Sequence, residues 1–147
     1  MDDVTAIEFC SQFDACDDGV DWCADNSLLD GPMSALWERE DLKPDWRIWV
    51  ATRKGVLSDR DARMFACWCA RQVWHLLTDE RSRAAVEVAE RYANGDATKA
   101  DLSAARAAAG DAARDAAWYE AGDAAGDAAW DAQAQHLIEM GNPFGGQ

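Results

Sequence analysis

Ser58-Asp-Arg-Asp-Ala-Arg-Met-Phe-Ala-Cys-Trp-Cys-Ala-Arg-Gln-Val-Trp-His-Leu-Leu77 is the most hydrophobic element of the chain, and its period decides the fold class. It opens on Ser58 with Asp61 three residues later, a pattern that satisfies the orphan N–H groups of a helix N-terminus. Met64, Phe65, Trp68, Cys69, Val73, Leu76 and Leu77 then cover most of the circumference of one helix. Apolar side chains nearly all round are expected of a central helix surrounded by others.

The same start and stop signals recur outward from it. Thr5-Ala-Ile-Glu8 reads as a capping box, followed by Ile7, Cys10 and Phe13 on one face and a stop expected near Cys16. Asp18-Gly-Val-Asp21 begins a short helix carrying Trp22 and Cys23. Asp30-Gly-Pro32 is a turn into a third, with Ala35, Leu36 and Trp37. Lys43-Pro-Asp45 opens a segment with Trp46, Trp49 and Val50 that ends at Gly55. Thr78, with Asp79 and Glu80, caps a helix running through Tyr92 to the stop Asn94-Gly95, and Thr98-Lys-Ala-Asp101 is another box. Strand signals are nearly absent. The expectation is an all-α, single-domain helical bundle of about six or seven helices, with an Ala-rich C-terminal helical hairpin. Its domain spans residues 1–141: Trp- and Cys-rich short helices over 1–57, central helices over 58–95, and Ala/Asp-rich helices over 98–141. Residues 142–147, Asn-Pro-Phe-Gly-Gly-Gln, read as a flexible tail.

Alanine dominates residues 99–140, where a four-residue unit recurs: Gly110-Asp-Ala-Ala, Arg114-Asp-Ala-Ala, Gly122-Asp-Ala-Ala, Gly126-Asp-Ala-Ala and Trp130-Asp-Ala. Alanine is the best helix former, so the repeat predicts helix, broken or bent near Gly122. Asp111, Asp115, Asp123, Asp127 and Asp131 share the period, and Glu120 lies beside them. Carboxylates four residues apart advance about 6 Å and drift about 40°, which makes a winding acidic stripe loosely like a nucleic-acid backbone. The same charges also serve solubility. Trp118 and Trp130 project from this acidic region and are candidate anchors for a partner, the other reading being rings packed over alanines.

Charge is uneven along the chain. Residues 1–41 hold twelve acids and one base, 42–95 hold ten bases and seven acids, and 96–147 hold nine acids and three bases. The net charge of −14 makes free nucleic acid and anionic membrane poor partners. A basic stripe of Arg60, Arg63, Arg71 and His75 surrounds Cys67, where guanidiniums would lower the thiol pKa. The alternative is that this stripe closes on the acidic head or tail in internal ion pairs. The five cysteines, an odd number with no secretion signal ahead of them, are expected to be reduced thiols in the cytoplasm. Cys67 and Cys69 lie about 200° apart on a helix and cannot clamp one metal. No stretch approaches a membrane span, and no phosphate loop, Ser/His/Asp set, zinc helix or EF-hand loop is present. No catalytic residue, cofactor or metal site is therefore expected.

At Ala66-Cys-Trp-Cys-Ala-Arg-Gln-Val-Trp-His-Leu76, at Arg83-Ala-Ala-Val-Glu-Val-Ala-Glu-Arg-Tyr-Ala-Asn-Gly95 and through the Ala/Asp repeats, the chain resembles small Ala-rich, acidic helical proteins of bacteriophages and prophages. The resemblance covers residues 58–140 well and the Phe9-Cys10…Cys16…Gly19…Trp22 head more loosely. A weaker similarity runs to immunity proteins of bacterial toxin systems. It implies a phage setting in a bacterial host and no particular chemistry. With the charge, it yields the expectation of a non-enzymatic binder of a protein with a basic surface: an anti-CRISPR or anti-restriction inhibitor of a host nuclease, acting by nucleic-acid mimicry. Its expected contact residues are Asp111, Asp115, Trp118, Glu120, Asp123, Asp127, Trp130 and Asp131. The alternatives are an immunity protein for one toxin and a thiol-dependent activity at Cys67. The oligomeric state, a homodimer included, is left open.

Overall fold

The computed structural model describes residues 1–116 and 126–145, with side chains described outside 112–128. Among the described residues the fold is all-α, as the helix signals predict, with eight α-helices and one 3₁₀ turn. Contacts divide the chain into two compact units, residues 1–57 with 127–147 and residues 58–126.

The first unit contains α1 (Ala6–Phe13), α2 (Asp17–Asp25), α3 (Met33–Trp37), α4 (Pro44–Ala51) and the body of α8 (Gly126–Glu139). The capping box of α1 is formed: the Thr5 N–H donates to Glu8 Oε2 at 2.9 Å, and the Glu8 N–H donates to Thr5 Oγ1 at 3.4 Å. The Thr5 hydroxyl, which donates to Glu8 Oε2 at 2.7 Å, and then the Thr5 N–H hold the Glu8 carboxyl below its ordinary range. Such a group contributes stability that is present above the ordinary carboxyl pKa and lost as pH falls through the lowered value. Thr5→Ala is therefore expected to cost about 1 kcal/mol in urea unfolding at neutral pH, and less below the carboxyl range. A cost independent of pH would show that Glu8 contributes nothing to the cap.

The helix stops at Phe13, earlier than the spacing predicts, because Asp14 turns left-handed with φ 55° and closes the end against Cys10. Backbone bonds from Ala6 N–H to Gly31 O and from Met33 N–H to Val4 O then tie the starts of α1 and α3 together. Asp3 supplies the N-terminal cap of α3 from thirty-one residues away, accepting from Ser34 N–H at 2.8 Å and from Ser34 Oγ at 2.6 Å. The core beneath is Phe9, Met33, Leu36, Trp37, Val50, Val56, Leu137 and Phe144, all buried.

Over residues 142–145 Phe144 corrects the flexible-tail expectation, and 146 and 147 lie outside the described residues. The Phe144 ring is fully buried against Phe9 at 5.7 Å and Trp37 at 6.3 Å between centroids. Asn142 Nδ2 donates to Ser34 O at 2.9 Å and to Glu38 Oε1 at 2.8 Å, and the Met1 ammonium donates to Pro143 O at 3.2 Å. One large ring with its neighbours' polar groups satisfied outweighs the loop-forming character of the residues around it.

The second unit holds α5 (Asp59–Gln72), a 3₁₀ turn at Trp74–Leu76, α6 (Glu80–Ala93) and α7 (Lys99–Ala116), with α6 packed against both α5 and α7. The expected caps at Ser58–Asp61 and Thr98–Asp101 are present, and the stop at Gly95 uses a φ of 84°. The next cap is made by Asp79 and not Thr78, the Asp79 carboxylate accepting from Arg81 N–H at 2.9 Å. The idea of α5 as an enclosed central helix is corrected. Only Phe65 and Cys67 of it are buried, and Leu76, in the 3₁₀ turn, is 60 % exposed. Leu102 is the one further buried side chain of this unit among the described residues. The bend expected near Gly122 lies outside the described residues. Of the two Ala-rich helices, α7 packs along α6 in the second unit and α8 belongs to the first.

Candidate functional site

The acidity belongs to the first unit. It carries sixteen acidic and five basic residues, against twelve and nine in the second. Of the expected contact residues, Asp111 on α7 and Asp131 on α8 are exposed, and Trp130 is 48 % exposed. Asp111 falls in the second unit and Asp131 in the first, so the structure does not bring the two ends of the ladder into one unit. Trp118, Glu120 and Asp123 lie outside the described residues, as do the side chains of Asp115 and Asp127.

A second ladder, not singled out by the sequence reasoning above, lies in the head. Asp17, Asp21 and Asp25 recur every four residues on α2, Asp18 stands beside the first, and all four are exposed. None of them makes an ion pair among the described residues. Asp17 and Asp18 suit the positive end of the helix dipole. Asp25 lies at the negative end, where a carboxylate costs about 0.3–1 kcal/mol and where no basic residue offsets it. Folding alone gives no reason for a carboxylate there. The signal was available in Asp17-Asp-Gly-Val-Asp-Trp-Cys-Ala-Asp25, but the shorter repeat is masked by the overall acidity of the head.

Arginines that could have neutralised these groups are engaged elsewhere. Arg39 makes a two-bond ion pair with Asp41, at 2.8 and 2.6 Å. Arg47 is buried against backbone carbonyls, and Arg53 donates to Trp49 O while lying over the Trp49 ring. In the second unit, arginines of the basic stripe are engaged with α6. Arg71 pairs with Glu90 at 2.9 and 2.7 Å, Arg60 donates to Ala93 O, and Arg63 stacks on Tyr92. Cys67 among them is buried, its sulfur 3.8 Å from Val86 O. Burial, helped by Glu90, pushes its thiol up against the pull of Arg63 and Arg71. An activated nucleophile needs the reverse.

Beside α2 lies a cavity of about 410 Å³, within the usual range of ligand pockets. Phe9, Trp22, Trp46 and Trp49 supply aromatic walls, with Trp22 and Trp46 packed edge to face at 5.6 Å. Cys10 of α1, Cys16 of the connecting loop and Cys23 of α2 also line it. The interaction with Cys23 lowers the Cys10 thiol to about 7 against the opposing effect of burial, and the same interaction together with burial raises Cys23 well above the ordinary range. The recurring dipeptide Phe9-Cys10 and Trp22-Cys23 on successive helices was the available sequence signal.

Among the described residues no group of three or more His, Cys, Asp or Glu side chains could hold a metal ion, and no helix is long and apolar enough to cross a membrane. No protein-family model matches the chain, and no curated protein or solved structure is similar to it.

Proposed function

We propose that the protein is a non-enzymatic acidic binding protein that docks its first unit on the cationic, nucleic-acid-binding surface of a partner protein. The observation that supports this reading is the unpaired, exposed series Asp17, Asp21 and Asp25, with Asp18 beside it, in the unit that holds most of the excess negative charge. Carboxylates about 6 Å apart along a helix present an anionic row that a phosphate-binding groove accepts electrostatically. The partner class suggested by the phage resemblance is a host defence nuclease, so the protein would act as an inhibitor of the anti-CRISPR or anti-restriction kind. The acidic row proposed for contact is α2, with Asp131 and Trp130 of α8 as further exposed candidates.

DNA cleavage by a panel of restriction endonucleases and CRISPR effector complexes, with and without the protein, tests this. At least one enzyme should lose cleavage, and excess DNA should compete with the inhibitor. Raising salt from 50 to 300 mM, or introducing D17N, D21N and D25N together, should weaken inhibition at least about tenfold, because the interaction is carried by screened charge. A panel wholly unaffected, or inhibition indifferent to both salt and the substitutions, would sink the proposal.

A further inference from the structure

The cavity beside α2 has an apolar floor and an acidic mouth. Phe9, Cys23, Met33, Leu36, Leu42 and Val50 line it and are buried. Trp22, Trp46 and Trp49 stand half-buried around them, and Asp14 and Asp45, which also line the space, are exposed. We propose that this cavity is a binding site for a small organic cation, an amine or quaternary ammonium carried on an apolar body. The floor takes the body, and the indole rings and carboxylates take the charge.

The space is of ligand size. At about 410 Å³ it lies within the range of about 300–1,000 Å³ typical of small-molecule sites, whereas voids in a packed core seldom exceed a water molecule. Its aromatic walls meet at steep angles, 62° between Trp22 and Trp46 and 82° between Phe9 and Trp49, so the rings bound a box and not a stack. The negative face of an indole attracts a cation. Each of these tryptophans already carries one: Arg39 lies over Trp22 at 5.8 Å, Lys43 over Trp46 at 4.4 Å and Arg53 over Trp49 at 4.8 Å. None of those three cations lines the cavity.

The lining also sets the sign of the ligand. Asp14 and Asp45 are its charged residues, and no basic side chain joins them. Neither carboxylate makes an ion pair among the described residues. An anion would meet both of them in the unit that holds most of the excess negative charge, and the same field concentrates a cation. The site is independent of any docking of α2 on a partner, because Asp17, Asp18, Asp21 and Asp25 do not line the cavity.

Three flat tricyclic probes that differ in charge test the assignment on the full chain, by calorimetry at slightly alkaline pH and about 150 mM salt, where exposed charges are screened beyond about 8 Å. They are 9-aminoacridine, a cation, acridine, which is neutral there, and 9-anthracenecarboxylate, an anion. The 9-aminoacridine cation is expected to bind at least about tenfold more tightly than acridine, and the carboxylate not at all. In a parallel NMR titration the indole N–H resonances of Trp22, Trp46 and Trp49 should shift, and that of Trp130, exposed and outside the lining, should not. That readout needs no variant. D14N and D45N together should weaken 9-aminoacridine at least about tenfold, and asparagine tolerates the left-handed backbone of residue 14, φ 55°, so the fold is kept. D17N, D21N and D25N together should change its affinity less than about threefold, which separates a site from the general acidity of the unit. Equal affinity for the three probes, no binding of 9-aminoacridine at about 1 mM, shifts at Trp130 and not at the three cavity indoles, or a triple variant as weak as the double one would each overturn the assignment.

Discussion

Phe144→Ala is expected to destabilise the first unit by about 3–5 kcal/mol, the range for truncating a fully buried phenylalanine. Phe144 is wholly enclosed, edge-on to Phe9 at an interplanar angle of 84° and tilted at 63° to Trp37. Removing the ring forfeits its transfer free energy and both aromatic contacts. It leaves a void that Phe9 and Trp37 cannot fill, since each is fixed by other partners. The backbone around it adds to the loss. The Phe144 N–H donates to Asn142 Oδ1 at 3.0 Å, and Asn142 in turn holds Ser34 and Glu38, so a loosened residue 144 loosens the bridge to α3. Against a typical total stability of about 5–15 kcal/mol, the variant should show a much lower urea midpoint. Ile138→Ala, nearby in sequence but 45 % exposed, should cost under about 1 kcal/mol. Equal costs for the two would mean that the 142–145 segment does not dock as described.

Arg47→Met is expected to cost about 2–5 kcal/mol. Arg47 is 2 % exposed, and its guanidinium donates to Trp37 O at 2.5 Å and Arg39 O at 2.8 Å while lying over the Trp37 ring at 4.9 Å. Those carbonyls lie at and just beyond the end of α3, a five-residue helix too short to persist alone. Arg47 is its C-terminal cap, delivered from α4, and a cation suits that end of the helix dipole. Burial lowers the Arg47 pKa, opposed by the Glu38 charge, and the group remains a cation at neutral pH. Methionine keeps much of the volume but leaves Trp37 O without a donor, at about 1–3 kcal/mol, leaves Arg39 O with only the Leu42 N–H at 3.4 Å, and forfeits the cation over the Trp37 ring. Lysine retains charge but has no fork that reaches both carbonyls, so Arg47→Lys should fall between methionine and wild type. Denaturant unfolding of the three proteins decides it. A methionine variant as stable as wild type would show that packing, and not the cap, is what Arg47 supplies.

Local chemistry was legible from the residues and distant contact was not. Thr5 with Glu8, Ser58 with Asp61, Thr98 with Asp101 and the Asn94-Gly95 stop involve partners within a few positions, so their spacing alone predicts them. The docking of Phe144 depends on Phe9 and Trp37, far away in the chain, and a stretch rich in glycine and proline carries no trace of that contact. The burial expected for α5 failed for a related reason. Its apolar circumference is plain in the sequence, but α6 and α7 are Ala-rich and cover little of it. The candidate site divides in the same way. Acidity was evident, and its regular display was sought in the long Ala/Asp repeat when the four-residue period also runs through α2. That Cys10 and Cys23 line one cavity depends on how α1 and α2 fold back on one another, which spacing of thirteen residues does not specify.

The first unit is built from two separated stretches of chain, and a hydrogen bond spanning 142 positions joins Met1 to Pro143. Vectorial synthesis therefore delivers its halves at different times. At about 5–20 residues per second, Phe9 and Trp37 emerge on the order of ten seconds before the ring that covers them. The intervening helices α5 to α7 contact near neighbours in sequence and can form during that interval. A nascent chain thus passes through a state with one unit assembled and the other still presenting an uncovered aromatic face, which makes translation speed and chaperone access determinants of yield for this topology.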